Sequence, residues 1–419
     1  MKILFVSQYF YPESFRGNDI VFDFVKRGHE VTVLTAKPNY PNGRFYEGYN
    51  FFNKRTEYIN GAKIIRTPII PRGNGNALRL LLNYTSFIIF SFFTVQFRIR
   101  TSFDVIFVQQ LSPVTMALPA IRIKRKQKIP LCLWVLDLWP ESVTAASNIK
   151  NHRIIAWLNK LVKFIYKNSD KILVSSAFFS NSISEKINID KNEIIHFPNW
   201  AEDIFTTPLQ SDIELPSFPN GFNIMFAGNL GEAQDFESIL KAAEITQKEV
   251  PSINWIFVGD GRKASWIRKE LSNRNLNNIY LLGRYPIETM PIFFEKADAM
   301  LVSLKDEPIF SLTVPAKIQA YMASGKIILG MFNGEGAEII RIADCGFAVP
   351  AGGYSELAKH ALILSQLNDM ERIRIEQNAY TYYKNNFDKN DLFDKLEAIL
   401  KSTINEDSDN TYPNTTQVP

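Results

Sequence analysis

Cysteine is scarce in this chain. Cys132 and Cys345 are the only two in 419 residues, each inside an apolar run. No disulfide framework can be built from them, and a reducing compartment is expected. Histidine is equally thin: His29, His152, His196 and His360 show no metal-ligand spacing, so no metal and no cofactor is expected. The Gly-x-x-x-x-Gly-Lys-Ser/Thr of a phosphate loop is missing. The turn after the first strand, Ser7-Gln-Tyr-Phe-Tyr-Pro-Glu13, lacks the three glycines of a dinucleotide fingerprint. The Asp-x-Asp pair Asp407 and Asp409 falls in a polar tail and reads as solvated. The run Ile3 to Val6 is too short for a secretory leader. With 46% hydrophobic and 21% charged residues, a disordered chain, a collagen-like fibre and a multi-span membrane protein are excluded.

What is present points to two domains. The length exceeds what one hydrophobic core supports. A net charge of +4 conceals an asymmetry: residues 1–170 hold 24 Lys and Arg against 10 Asp and Glu, and the remainder holds 23 against 33. A basic half suits phosphates or anionic lipid.

The pattern of elements agrees. Strand Lys2–Ser7, helix Asn18–Lys26 ending at Gly28, and strand Glu30–Thr35 form a strand–helix–strand unit with a continuously apolar first strand, as a buried parallel sheet requires. Further strands are expected near Lys63–Arg66, Val105–Gln109, Leu131–Leu136, Lys171–Ser175 and Ile194–Phe197. These make residues 1–205 a doubly wound α/β domain. A Pro-containing stretch over 206–220 reads as a linker. Alternation of strands and helices then restarts over 221–375, a second α/β domain. Helices over 376–401 are expected to return to the first domain, and 405–419 reads as a disordered tail. Two such halves predict a cleft between them.

One segment stands apart. Leu80–Phe97 is strongly apolar and flanked by Arg72, Arg79, Arg98 and Arg100. Its uninterrupted core, Tyr84 to Val95, falls short of the roughly 20 residues a spanning helix needs. Two readings stay open: a core helix of the first domain, or a helix lying in the membrane interface with arginines on lipid phosphates. The basic cluster Arg122 to Lys128 favours the second. Without interleaved aromatics it does not suggest nucleic acid.

Candidate chemistry lies in loops at the carboxyl ends of strands, where open α/β sheets bind ligands. In the second half, Gly228-Asn-Leu-Gly231, Gly259-Asp-Gly261, Gly283-Arg-Tyr285, Ser303–Lys317 and Gly334-Glu-Gly336 all fall at one sheet edge. Together they can offer backbone N–H groups and helix N-termini to a pyrophosphate.

Ser7-Gln-Tyr-Phe-Tyr-Pro, Arg27-Gly-His-Glu-Val31, Pro198-Asn199, Phe226-Ala-Gly-Asn-Leu-Gly231, Val258-Gly-Asp-Gly261 and Tyr321-Met-Ala-Ser-Gly325 resemble family 4 glycosyltransferases. The resemblance covers roughly residues 1–400 and is similar to bacterial O-antigen, capsule and colanic-acid enzymes, including N-acetyl-L-fucosamine transferases. It implies the GT-B fold, two Rossmann-like doubly wound domains facing a central cleft. It also implies metal-independent transfer of a sugar from a nucleotide diphosphate with retention of configuration. The implied acceptor is a polyprenyl-diphosphate-linked sugar in surface-polysaccharide and lipopolysaccharide assembly. A peripheral place on the inner face of the plasma membrane follows, as does the EC 2.4 class.

The family's pair of glutamates, eight apart, reads Ser311 and Gln319 here, and its basic diphosphate pair reads Asn229 and Gln234-Asp235. Lys317, one turn into a helix opened by Pro315, is the expected replacement cation, assisted by the N–H groups of Leu312, Thr313 and Val314. Its alternative is a solvated helix lysine. Arg262 is a second candidate cation. Asp137, at the end of an apolar strand, is expected to meet the transferred sugar, with Glu141 beside it unless Glu141 merely begins a helix. Gly17 and Asn18 would let the first loop approach the donor phosphates, unless Gly17 is a plain turn glycine. Gly228, Gly283, Arg284 and Tyr285 would hold the nucleotide, the last three by a resemblance to a uracil contact that favours UDP. Glu335 and Glu338 would reach the sugar hydroxyls unless they are surface carboxylates. Rival readings are a nucleotide-sugar 2-epimerase and a catalytically silent nucleotide-sugar-binding subunit.

Overall fold

A computed structural model describes residues 1–147, 151–206 and 216–411. The chain divides into two compact units. One comprises Met1–Phe197 together with the chain from Leu392 onward, the other Pro198–Asp391.

The first unit is built on eight strands: β1 (Lys2–Val6), β2 (Glu30–Ala36), β3 (Thr56–Ile59), β4 (Ala62–Thr67), β5 (Val105–Gln110), β6 (Leu131–Val135), β7 (Lys171–Val174) and β8 (Ile194–His196). Their order is β3-β4-β2-β1-β5-β6-β7-β8. Neighbours are parallel except β3 and β4. In β1, Ile3 through Val6 are fully buried and lie between Val31–Leu34 and Val105–Val108. This is the two-sided burial that a continuous apolar run encodes. Strand β3 is an addition to the expected set. Asn60 and Gly61, both with positive φ, make the tight Asn-Gly turn that folds it back on β4.

The second unit carries β9 (Phe222–Ala227), β10 (Ile253–Val258), β11 (Ile279–Gly283), β12 (Ala299–Ser303), β13 (Ile328–Met331) and β14 (Gly346–Val349), all parallel, in the order β11-β10-β9-β12-β13-β14. Alternate residues of β9 feed opposite cores. Ile224 and Phe226 pack under the helices Phe236–Glu249 and Tyr354–Ser365, whereas Met225 and Ala227 pack under Ala316–Ala323. The loops after all six strands therefore emerge at one edge.

Three expected boundaries move. The crossover into the second unit falls after Phe197, because Ala201 and Phe205 already pack in the second unit's core, Phe205 stacked on Phe294. Of the expected linker, 207–215 lie outside the described residues. The helix Asp369–Phe387 stays with the second unit, burying Ala379, Tyr383 and Phe387 there. Only from Leu392 does the chain rejoin the first, along the helix Lys389–Thr411. Residues 405–411 of the expected tail are thus helical, and 412–419 lie outside the described residues.

The apolar segment forms a helix over Ala77–Arg98, capped by the Asn76 side chain on the Arg79 amide at 2.9 Å. With 22 residues it is long and apolar enough to cross a membrane by length and composition, longer than its apolar core suggested. Its polarity is inverted. Asn83, Ser86, Ser91 and Thr94 are buried, while Leu78, Leu81, Ile89, Phe93 and Phe97 are exposed. Asn83 accepts from Gln8 Nε2 at 2.8 Å and donates to the Ile70 carbonyl at 2.7 Å, and Ser86 Oγ accepts from the Ile70 amide. Polar bonds hold the inner face, and hydrocarbon points outward.

Candidate active site

In the second unit, a cleft of about 1050 Å³ opens at the strand ends. Its floor is a backbone mesh. The Gly228 amide donates to Val258 O at 2.8 Å, Gly259 to Gly283 O at 2.7 Å, and Leu230 to Asp260 O at 2.9 Å. The mesh requires glycine. Gly259 sits at φ +144°, and a Cβ there would lie 1.8 Å from Gly228 O.

Lys317 and Arg284 are the cations that line this cleft among the described residues, and Lys317 is the more buried of the two. It is the second residue of the helix Ala316–Ala323, and its ammonium lies 3.4 Å from the centre of the Phe226 ring. Its side chain passes so close to Gly228 that an added Cβ there would meet Lys317 Cε at 2.9 Å. Withdrawal from water lowers its pKa to about 7. It is therefore no solvated lysine. The same helix presents its first residues to the cleft, with Ala316 and Lys317 both lining it, so amide dipoles and ammonium converge on one place. Tyr285, Pro286, Ile287, Met290 and Phe294 give the cleft an apolar portion, and Glu202, Asp260 and Arg284 add charged groups to its lining. A charged, hydrogen-bonding portion and a flat apolar portion are what a nucleoside diphosphate presents.

Of the residues singled out from sequence, Gly228, Asn229, Arg284, Tyr285 and Lys317 line this cleft. Gly283 supports it through its carbonyl bond to Gly259. Ser311 to Val314 and Glu335 form an adjacent group: a Cβ on Gly334 would meet Ser311 O at 1.8 Å, and one on Gly336 would meet Pro315 Cδ at 3.0 Å. The amides of Leu312 and Thr313 are not available to a ligand, since they bond to Ile309 O and Phe310 O. Glu335 is buried, whereas Glu338 and Arg262 are exposed and outside the cleft lining. Sequence reasoning passed over Glu202, Phe205 and Phe294 as lining residues. Glu202 and Phe205 precede the expected boundary, and no motif marks them.

In the first unit, Asp137 follows β6. Its carboxylate accepts from Trp139 Nε1 at 3.3 Å, and its carbonyl accepts from Gln110 Nε2 at 2.9 Å. The Trp139 indole also donates to Ser112 Oγ at 3.2 Å. The carboxylate is half-buried and free of any cation among the described residues. Glu141 differs. It opens the helix Glu141–Ser147 and is engaged by Lys186 Nζ and by Ser182 Oγ, so its charge is already matched. Gly17 is buried in the helix Arg16–Lys26, where a Cβ would stand 2.2 Å from Gln109 Oε1 and 2.6 Å from Phe5. Its smallness serves helix-to-sheet contact. Asn18 is likewise committed, accepting from the Tyr11 amide and donating to Glu13 O.

Two α/β units of this kind, one with a nucleotide-shaped cleft at its strand ends, define the GT-B class of enzymes. Comparison with known proteins agrees. Residues 19–202 match the family Glycosyltransferase Family 4, and residues 221–366 match Glycosyl transferases group 1. The chain belongs to these glycosyltransferases. It is 29% identical over 289 residues to a probable glycosyltransferase, WbjE, of Pseudomonas aeruginosa, covering 65% of this chain and 69% of the relative. It is 26% identical over 344 residues to a putative colanic acid biosynthesis glycosyl transferase, WcaI, of Escherichia coli K12, covering 78% and 82%. Among solved structures, sucrose-phosphate synthase from Thermosynechococcus elongatus superposes with a TM-score of 0.70 at 13% identity, over 97% of this chain and 99% of that one. Anabaena HepE in complex with UDP superposes at 0.64 and 13%, over 96% and 100%.

Proposed function

We propose that this glycosyltransferase moves a sugar from UDP, with retention and without a metal, to a polyprenyl-diphosphate-linked glycan in surface-polysaccharide assembly. The observation that carries the donor half is Lys317, held over the Gly228 loop at the start of its helix. As the sugar–phosphate bond breaks, negative charge grows on the diphosphate. A fixed ammonium and helix amides take it up without solvent reorganisation. The UDP named with HepE and the colanic acid named with WcaI support the same direction. On the acceptor side we assign Asp137, whose carboxylate is oriented by Trp139. Retention implies attack from the face of the leaving group, with a donor phosphate oxygen as base.

A thermal-shift screen against UDP, GDP, dTDP and ADP, with and without magnesium, checks the donor. UDP at 100 times its dissociation constant should add about 2.7 kcal/mol of stability, with magnesium making no difference. Stabilisation by another nucleotide alone, or only with magnesium, would refute the assignment.

The membrane half rests on the outward hydrocarbon of the Ala77–Arg98 helix. The Arg122 guanidinium lies 4.2 Å from the Phe92 ring and that of Arg125 5.4 Å from Phe164, and Trp157 is exposed nearby in sequence on the helix His152–Lys167. Apolar rings edged by arginines suit an anionic leaflet. The protein should co-sediment with phosphatidylglycerol vesicles better than with phosphatidylcholine ones, and Phe93→Glu with Phe97→Glu should abolish the difference. Equal partition of wild type and variant would count against a peripheral membrane location.

A further inference from the structure

A second built site lies in the first unit, around Arg72. In a doubly wound sheet, ligands gather where the chain reverses direction across the strands. Here that point lies between β1 and β5. Tyr9, in the loop after β1, bridges it, donating from its hydroxyl to Ser112 O at 3.0 Å. Its ring stacks on Phe15 with centroids 5.0 Å apart and meets Tyr40 edge-on at 6.0 Å. Into this aromatic corner comes Arg72, from the chain after β4. Its guanidinium carbon lies 5.1 Å from the Tyr40 centroid and 5.9 Å from that of Tyr9, and Nη1 donates to Tyr9 Oη at 3.4 Å.

The corner is held rigidly. Glu13 is buried and its carboxylate accepts the amides of Asn39, Tyr40 and Phe10 at 2.7, 2.7 and 3.3 Å. The Arg72 amide donates to Asn39 Oδ1 at 3.1 Å, and Gly73 N donates to Gly43 O at 2.9 Å. Three loops are thereby cross-tied. Yet Arg72 is half-buried with no carboxylate partner among the described residues, since Glu13 is spent on backbone amides. Tyr40 keeps 40% of its surface exposed. A planar cation placed against aromatic rings and given no counter-ion is suited to a phosphate, which it can grip with two parallel N–H donors. The exposed part of the Tyr40 ring beside it is suited to the C–H groups of a sugar.

We propose that Arg72, with Tyr9 and Tyr40, binds the glycosyl diphosphate headgroup of the acceptor. This rests on the transferase reading above and places the acceptor's charged end. The helix with the outward apolar face starts at Ala77, a few residues beyond Arg72. A headgroup held there has its lipid tail beside hydrocarbon. The donor has its own cation in Lys317, so the two phosphate groups are served by different residues.

Full-length wild type, Arg72→Gln and Tyr40→Ala are compared by calorimetry with a water-soluble short-chain prenyl glycosyl diphosphate, with inorganic pyrophosphate and with UDP. Both variants should bind the glycosyl diphosphate about tenfold or more weakly, while the thermal shift with UDP stays as in wild type. The KM for acceptor should rise by the same factor, with the donor KM unchanged. Loss of pyrophosphate binding in Arg72→Gln but not in Tyr40→Ala would assign the phosphate to Arg72 and the sugar to Tyr40. Equal affinities in all three proteins, or a parallel fall in UDP binding, would overturn the site. If wild type binds the probe and UDP but transfers no sugar, the transferase reading fails and the site stands. If all three transfer with the same acceptor KM, the reading stands and the site falls.

Discussion

Replacing Lys317 by methionine should weaken UDP binding and lower kcat/KM for transfer by about 10²-fold each, the scale seen when a donor to a developing oxyanion is removed. Methionine keeps the length of the side chain over Phe226, so the fold should survive. The variant should also change the pH profile. With its pKa lowered to about 7 by burial, free Lys317 is charged below pH 7 and increasingly neutral above it. A bound diphosphate favours the charged form, so UDP binding must take up a proton above pH 7. Affinity of the wild type should then fall by up to about tenfold per pH unit above 7, and the variant should show no such slope. Calorimetry in buffers of different ionisation enthalpy reads the proton directly. The ligand-free protein carries the opposite signature. Its unfolded chain holds the lysine proton up to the usual 10.5, so the unfolding free energy should rise with pH above 7, and less steeply in the variant. Identical pH profiles for the two proteins would remove Lys317 from the phosphate site.

Asp137→Asn should lower kcat by about 10²- to 10³-fold while leaving the UDP thermal shift intact, because the role proposed for the carboxylate is on the acceptor side. Asparagine can still accept from Trp139 Nε1, which spans 3.3 Å to the carboxylate, so orientation is kept and charge alone is lost. Glu141→Gln is the useful contrast. Its partner Lys186 would be left unmatched, and its effect should be on melting temperature more than on kcat. A kcat loss in Glu141→Gln equal to that in Asp137→Asn would move the acceptor-side role to Glu141.

Strands are the most legible part of this sequence, because burial on both faces demands unbroken apolar runs such as Ile3–Val6 and Ile224–Phe226. The glycine loops are legible too, since Gly228 and Gly259 stand where backbone meets backbone. Lys317 can be found from the proline before its helix, but its burial on Phe226 cannot, because the ring comes from a strand some ninety residues earlier. Arg72 shows the same limit more sharply. Its significance depends on Tyr9 and Tyr40, which only the sheet order brings beside it. Gly17 has a packing role that its expected place in the loop after the first strand does not announce, since the Gln109 side chain lies where its Cβ would stand. The C-terminal return is expected from 376 but begins only at Leu392, because Ala379, Tyr383 and Phe387 of the helix Asp369–Phe387 pack in the second unit's core.

The first unit is begun at one end of the chain and finished at the other. Phe393, Leu396 and Leu400 fill its core, Phe24 meets Phe393 at 6.5 Å, and Glu397 pairs with Arg27 and His29. On the ribosome, the half synthesised first must therefore wait, with this patch uncovered, while the whole second unit is made. That second unit is uninterrupted in sequence from Pro198 to Asp391 and is free to fold as it emerges. Order of synthesis and order of completion are thus reversed, and a chain interrupted just after Asp391 holds every residue of the second unit while the first still lacks the segment that fills its core.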